Sequence, residues 1–333
     1  MIDPRFTAPR PETLDALREC PGDVIVLGAG GKMGPSLTAM LARAVQEIGD
    51  RRRVLAVSRW SDRKSAKALA AMKVEILECD LMNPDDVARL PDAPNVIFMA
   101  GQKFGTSDRP SVTWAMNTLV PANAARRYPG ARIVAFSTGN VYPLTPADSG
   151  GPSENDPVDP VGEYAMSCVG RERMFEYFSD RDGTRIAIYR LNYAIDTRYG
   201  VLLDLAQRVV AGEAIPLAMG YVNVIWQGDA NRIAIECLPR AAAPPFVLNV
   251  TGRHTLSVRD LAERFGRRFG KSPVFAGTEG ADALLSNAEL MHTTFTPPAT
   301  TVDDMIEHVA RAIEENAPTL GKPTHFEARD GRF

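Results

Sequence analysis

The chain has 333 residues, 45% hydrophobic and 24% charged with a net charge of -3, enough for one large α/β domain or a nucleotide-binding domain carrying a smaller lobe. That charge balance gives no broad basic field for nucleic acid and no polybasic segment for an anionic membrane, and no apolar run approaches the length of a membrane span. Cys20, Cys79, Cys168 and Cys237 are dispersed without CxxC spacing, which argues against a disulfide framework or a zinc knuckle; with no signal-like N-terminus, a cytoplasmic protein is expected.

From residue 23 to about 190, short Val/Ile-rich runs alternate with segments of helical period, the pattern of repeated βαβ units on a parallel sheet. Strands are predicted at Val24–Leu27, Val54–Val57, Val74–Leu77, Val96–Met99, Ile133–Phe136 and Ile186–Tyr189, continuous apolar runs suited to a sheet covered on both faces. Between the first two, Met33, Leu37, Met40, Leu41, Ala44 and Ile48 mark the buried face of a helix, which the Asp50-Arg51-Arg52-Arg53 cluster is expected to end. Residues 139–161, rich in Pro, Gly, Ser and Asp, read as a loop. Beyond 195 the pattern is less regular, with helices predicted at Val201–Val210, Asp229–Leu238, Val258–Phe269 and Val302–Glu315. The expected fold class is α/β: a Rossmann-type doubly wound parallel sheet over residues 20–195, and a smaller substrate lobe over 196–317, interleaved with the first. Residues 318–333 are expected to form an extended or mobile tail.

The clearest motif is Val24-Ile25-Val26-Leu27-Gly28-Ala29-Gly30-Gly31-Lys32-Met33-Gly34. Gly28, Gly31 and Gly34 follow a strand and open a helix, with Gly30, Lys32 and Met33 completing the loop. Glycines there permit a tight turn, close backbone approach to a pyrophosphate and close helix packing, while the helix N-terminus offers free N–H donors. NAD or NADP binding is the reading. The second strand ends in Val57-Ser58-Arg59, with no acid to grip the ribose hydroxyls of NAD. Arg59, assisted by Ser58 or Arg63, suits the 2′-phosphate of NADP, which is therefore favoured over NAD; the plainer alternative is a solvated surface arginine. Asp80-Leu81 after the third strand suits an adenine-side contact, and equally a helix cap.

Taken with Met99-Ala100-Gly101, Asn117, the run Phe136-Ser137-Thr138-Gly139-Asn140-Val141-Tyr142 and Tyr164, these features resemble the extended short-chain dehydrogenase/reductase family, the NAD-dependent epimerase/dehydratase group. The resemblance implies that Thr138 hydrogen-bonds a substrate oxygen, that Tyr164 exchanges its proton, and that Asn117 belongs with them. It also puts Ala100, Gly101 and Lys103 beside the nicotinamide half of the cofactor. The departure is Tyr164-Ala165-Met166-Ser167-Cys168 in place of the family's Tyr-x-x-x-Lys. That lysine would face the same side of the helix, hold the nicotinamide ribose and favour the phenolate. Without help, a phenol titrating near 10 is only about one part in a thousand ionised at neutral pH. Lys103 is a candidate substitute cation, against the plainer reading of a solvent-facing lysine. Arg171, two turns beyond Tyr164, reads as a surface charge, and Cys168 as a small buried residue.

For substrate, Tyr142, Asn192 and Tyr193 are candidates; Arg198 and Trp226 are further ones, although aromatic residues at such positions are often only core. His254, His292, His308 and His325 are scattered, so no metal is expected. The function expected is an NAD(P)-dependent oxidoreductase or epimerase on a sugar or sugar-derived small molecule. The alternative is an NAD(P)-binding sensor or partner protein without redox turnover, motivated by the missing lysine. The resemblance further implies a homodimer, with segments 111–128 and 164–180 as the candidate helices of a four-helix bundle.

Overall fold

A computed structural model describes residues 2–103 and 109–332. Two compact units are woven from one chain: the first comprises Met1–Thr138, Glu163–Arg190 and Ala230–Leu248, the second Gly139–Gly162, Leu191–Asp229 and Asn249–Phe333. Seven strands form the main sheet: β1 (Val24–Leu27), β2 (Val54–Ser58), β3 (Glu75–Glu78), β4 (Asn95–Phe98), β5 (Arg132–Thr138), β6 (Arg185–Leu191) and β7 (Phe246–Val250). Their order is β7-β6-β5-β4-β1-β2-β3. β1 pairs in parallel with β2 and β4, β2 with β3, and β4 with β5.

Helices of the chain include α1 (Pro11–Glu19), α2 (Gly34–Ile48), α3 (Arg63–Ala70), α4 (Pro84–Ala88), α5 (Pro110–Arg127), α6 (Gly162–Asp182), α7 (Val201–Ala211), α8 (Gln227–Glu236), α9 (Val258–Phe269) and α10 (Val302–Glu314). Ile25, Leu27, Leu55, Val57, Val96, Phe98 and Ile133 join Val120, Phe175 and Phe178 of α5 and α6 in one core, which explains the unbroken apolar runs of the strands.

Strand order reverses between β1 and β4, and there the register sets Leu27 opposite both Val57 and Phe98. The loops opening with Gly28, Arg59 and Met99 therefore leave the sheet at one level, at the switch point where such folds bind ligands.

One local expectation needs correction, and one strand was not foreseen. α2 ends not at the charged cluster but at Gly49, whose left-handed backbone (φ 68°) turns its N–H back onto Gln46 and Val45 carbonyls; glycine adopts that conformation freely. Asp50 and Arg52 instead pair with each other just beyond, at 2.5 Å. The edge strand β7 goes unpredicted although Phe246-Val247-Leu248 is an apolar run like the others; it lies beyond the regular βα alternation, some sixty residues after its neighbour β6.

Within the second unit, α7, α9 and α10 pack together. The segment after Pro318 has no regular secondary structure but is tied along this unit. Asp204 Oδ2 accepts from Thr324 N at 2.8 Å and Thr324 Oγ1 at 2.6 Å, Arg208 pairs with Glu327 at 2.6 Å, Phe326 is buried, and Arg329 donates to the Ala218 carbonyl at 2.8 Å. Near its end, Gly331 lies against Gly162: a Cβ on Gly331 would stand 2.2 Å from the Val161 carbonyl oxygen, and one on Gly162 2.8 Å from that of Gly331.

Burial pushes the Asp204 carboxyl up, with the two Thr324 donors opposing. Thr324→Val removes one donor from a buried carboxylate and is expected to lower stability by about 1–3 kcal/mol at neutral pH. Because the missing donor serves the ionised form, the loss should fade as falling pH protonates Asp204. Urea unfolding midpoints of the two proteins at neutral and at acidic pH check this; equal shifts, or none, would contradict it.

Candidate functional site

Gly28 leaves β1 with φ 92°, and a Cβ there would lie 2.7 Å from Ala100 N, the close contact between the β1 and β4 loops. A Cβ on Gly34 would meet the Ala29 carbonyl oxygen at 2.4 Å, so the first turn of α2 sits directly on the loop. No side chain caps α2 at Met33, and because Pro35 carries no N–H, an anion at this helix start would be met by the N–H of Gly34 and of the loop before it. A pyrophosphate fits this cradle. Gly30, Gly31 and Lys32 lie on its accessible side, while Met33 is buried.

Ser58 turns toward the same loop, its Oγ 2.5 Å from where a Gly30 Cβ would be. Arg59 is exposed. The next residue, Trp60, is 1% exposed in a left-handed conformation (φ 49°), its indole N–H donating to the Leu77 carbonyl at 2.9 Å. This anchor directs the chain so that Arg59 stands at the open end of β2. Arg63 pairs with Glu78 at 3.1 Å. Asp80 accepts from Met82 N at 3.0 Å, closing a turn, while the α4 cap is Asn83; Leu81 is part of the core.

Thr138 ends β5, and Tyr164 stands in the first turn of α6, with Cys168 and Arg171 following at i+4 and i+7 on the same face. The Tyr164 phenol is hydrogen-bonded to both Thr138 and Cys168. Tyr164 is partly exposed as a residue, yet burial of its phenol pushes the titration well above the ordinary tyrosine value; the Cys168 contact adds to the rise, while Arg171 and Thr138 oppose it. Cys168 is fully buried and its thiol is likewise pushed up.

Asn117 of α5 is buried and uses its whole amide. Oδ1 accepts from Gln102 N at 3.1 Å and Arg171 Nη2 at 2.5 Å, and Nδ2 donates to the Gln102 carbonyl at 3.2 Å and Ser167 Oγ at 2.8 Å. Ser167 Oγ in turn donates to the Tyr164 carbonyl at 2.7 Å. Asn117 thereby ties the loop after β4 to the turn of α6 that bears Tyr164.

Arg171 is not the surface charge its sequence position suggests: it is 6% exposed and also donates to the Phe136 carbonyl at 2.9 Å. Next to it, Glu172 holds Ser137 Oγ at 2.5 Å and Arg190 at 2.7 Å in a buried ion pair. Sequence reading missed this pair entirely; its only trace was an arginine directly after the apolar run of β6. Lys103 is partly buried and its charge reaches Cys168.

In the second unit, Tyr142 is buried, its single O–H lying between two acceptors, the Ser153 carbonyl at 3.0 Å and Asn249 Oδ1 at 2.9 Å. Asn192 Nδ2 donates to Asn223 Oδ1 at 2.9 Å, and Asn223 Nδ2 to the Ser286 carbonyl at 2.8 Å. These amides form an internal frame. Tyr193 is partly exposed and left-handed (φ 46°), with Tyr199 and Glu327 as electrostatic neighbours. Trp226 packs against His308 and is buried, and Arg198 pairs with Asp196 at 2.6 Å. Among the described residues no three metal-ligating side chains gather as a metal site, and no helix is long and apolar enough to cross a membrane.

No curated protein matches the sequence. Solved structures share the fold at low identity: DesIV, a dTDP-glucose 4,6-dehydratase from Streptomyces venezuelae solved with NAD (17% identity, TM-score 0.75, covering 88% of this chain and 97% of that one); Pal from Bacillus thuringiensis (16%, TM-score 0.74, 88% and 99%); and a UDP-glucuronic acid 4-epimerase from Bacillus cereus, in complex with a fluorinated UDP-sugar and NAD (16%, TM-score 0.73, 88% and 99%). Residues 24–218 match the NAD dependent epimerase/dehydratase family, and with more than half its length inside that match, the chain belongs to this family.

Proposed function

We propose that this protein is an NAD(P)-dependent oxidoreductase or epimerase whose substrate is a sugar or sugar nucleotide. The observation that carries the reading is the meeting of Thr138 and Tyr164 through a hydrogen bond at the end of β5, within the same unit as the Gly28–Gly34 cradle. Bound nicotinamide supplies a hydride acceptor and donor. The chain's own part is to orient and to move a proton. Thr138 holds the reacting oxygen, Tyr164 Oη passes a proton to or from it, and Asn117 keeps the two helices and the Gly101–Lys103 loop in register. The Gly28–Gly34 turn grips the pyrophosphate, with Ala100 beside Gly28. Arg59 and Ser58 receive a 2′-phosphate, which favours NADP over NAD; Asp80 and Leu81 bound the adenine side. In the lobe, Tyr193 is the candidate for substrate contact, while Asn192 and Tyr142 hold the frame around it.

The exposed apolar side chains of α5 and α6, Trp114, Leu119, Met166 and Tyr177, support a homodimer through these helices. Titrating NADP and NAD by quenching of protein fluorescence tests the cofactor assignment: Arg59→Ala should weaken NADP about tenfold and leave NAD nearly unchanged. Equal losses for both would remove Arg59 from phosphate recognition.

Across a panel of nucleotide sugars, turnover read by nicotinamide absorbance should fall roughly 100- to 10,000-fold in Tyr164→Phe while cofactor binding persists. Since the phenol must ionise to accept a proton, the oxidative rate should climb with pH through the ionisation of Tyr164 in the cofactor complex. The same pH dependence surviving in the residual rate of Tyr164→Phe would exclude Tyr164 as the base. Tight NADP binding with no Tyr164-dependent reaction would instead favour a cofactor-binding protein without turnover, the reading that Cys168 motivates.

A further inference from the structure

A buried ion without a counter-ion is costly, so its presence needs a reason. Arg171 is such an ion. Its two acceptors, the Phe136 carbonyl and Asn117 Oδ1, are neutral. It pairs with no described carboxylate, since the adjacent Glu172 is already engaged by Arg190 and Ser137. Its Nε has no partner among the described residues. Space has been made for it as well: a methyl on Gly101 would stand 2.3 Å from Arg171 Nη2. A helical side chain leans toward the N-terminus and covers the preceding turn, so residue 171 reaches back over Ser167 and Cys168. A lysine at 168 would compete for that volume, and a cysteine leaves it open.

We infer that Arg171 takes the place of the lysine missing from this site, its guanidinium entering from one turn further along α6 to hold positive charge beside Tyr164. This inference rests on the reading of Tyr164 as the proton-transfer group. Arg171 acts on the chemistry through Tyr164 and is a positioning residue. The surrounding charges are consistent with that role. Arg171 favours the ionised form of both Tyr164 and Cys168, Lys103 assists weakly at Cys168, Glu172 opposes there, and Thr138 favours the phenolate by its hydrogen bond. Burial outweighs them in the protein without ligand, so the cation limits the rise of the phenol and does not abolish it.

The test uses the full-length, cofactor-free protein with a fluorinated tyrosine, more acidic than tyrosine, incorporated at position 164, and follows its fluorine resonance against pH. Arg171→Met should raise the midpoint by about one pH unit or more, and adding Cys168→Lys to that variant should bring it back down. Gly101→Ala, which displaces the guanidinium but keeps its charge, should raise it by less. An unchanged midpoint in a cooperatively melting Arg171→Met protein overturns the inference; if that variant does not fold, an unchanged midpoint in Gly101→Ala does so. Cofactor titration of the unsubstituted protein runs in parallel. Failure to bind NAD or NADP would sink the functional reading above, whereas the fluorine midpoint judges Arg171 independently.

Discussion

One buried amide holds the chemical end of the first unit together. A carboxamide offers two donors and two acceptor positions, and Asn117 uses them all, on the backbone of Gln102, on Ser167 and on Arg171. No other residue type of that size can both donate to a carbonyl and accept from the same residue's N–H while also accepting from a guanidinium. An aspartate would lose the donors, and a leucine would remove a hydrogen-bond partner from four groups, at a cost of about 1–3 kcal/mol for each one left unsatisfied in the interior. Because Ser167 passes the connection on to the Tyr164 carbonyl, the position of the phenol depends on an amide belonging to another helix.

The electrostatics around that phenol divide into two neighbouring parts of different character. Glu172 and Arg190 form a closed pair with Ser137 attached, so their charges cancel locally and they brace the end of β5. Arg171 has only neutral acceptors and leaves a net positive field. Two consecutive helix residues thus do opposite things: one stiffens the strand that presents Thr138, the other charges the space in front of it. Against both stands desolvation, the largest influence on Tyr164 and Cys168 alike. A group so enclosed responds strongly to any charge brought near it, because low polarity magnifies what water would screen.

Much of this was legible in the residues. The apolar runs at Val24–Leu27 and Val54–Val57 and the spacing of Gly28, Gly31 and Gly34 encode local geometry, and local geometry is what periodicity reports. β7 escaped because its short apolar run, Phe246-Val247-Leu248, falls in the less regular lobe sequence after the βα alternation has ended. Gly49 was overlooked beside the more conspicuous charges at 50–53, although one left-handed glycine ends a helix more decisively than a row of arginines. Arg171 was misread for a different reason: composition assigns charged side chains to the surface, and the exceptions are visible only when their partners are in view. Tyr142 and Asn192 were named as substrate candidates from position alone, and the structure ties their polar atoms into the lobe's own frame. Position along the chain identifies a loop but not which way its side chains point.

The meeting of Gly162 and Gly331 has a practical side. Two backbone segments cross there with no room for a side chain on either, and one of them leads straight into the helix that carries Tyr164. Even a methyl group at either position, as in Gly331→Ala, would push on the turn that launches that helix, so a substitution far from Tyr164 in sequence acts on the start of the helix that bears it.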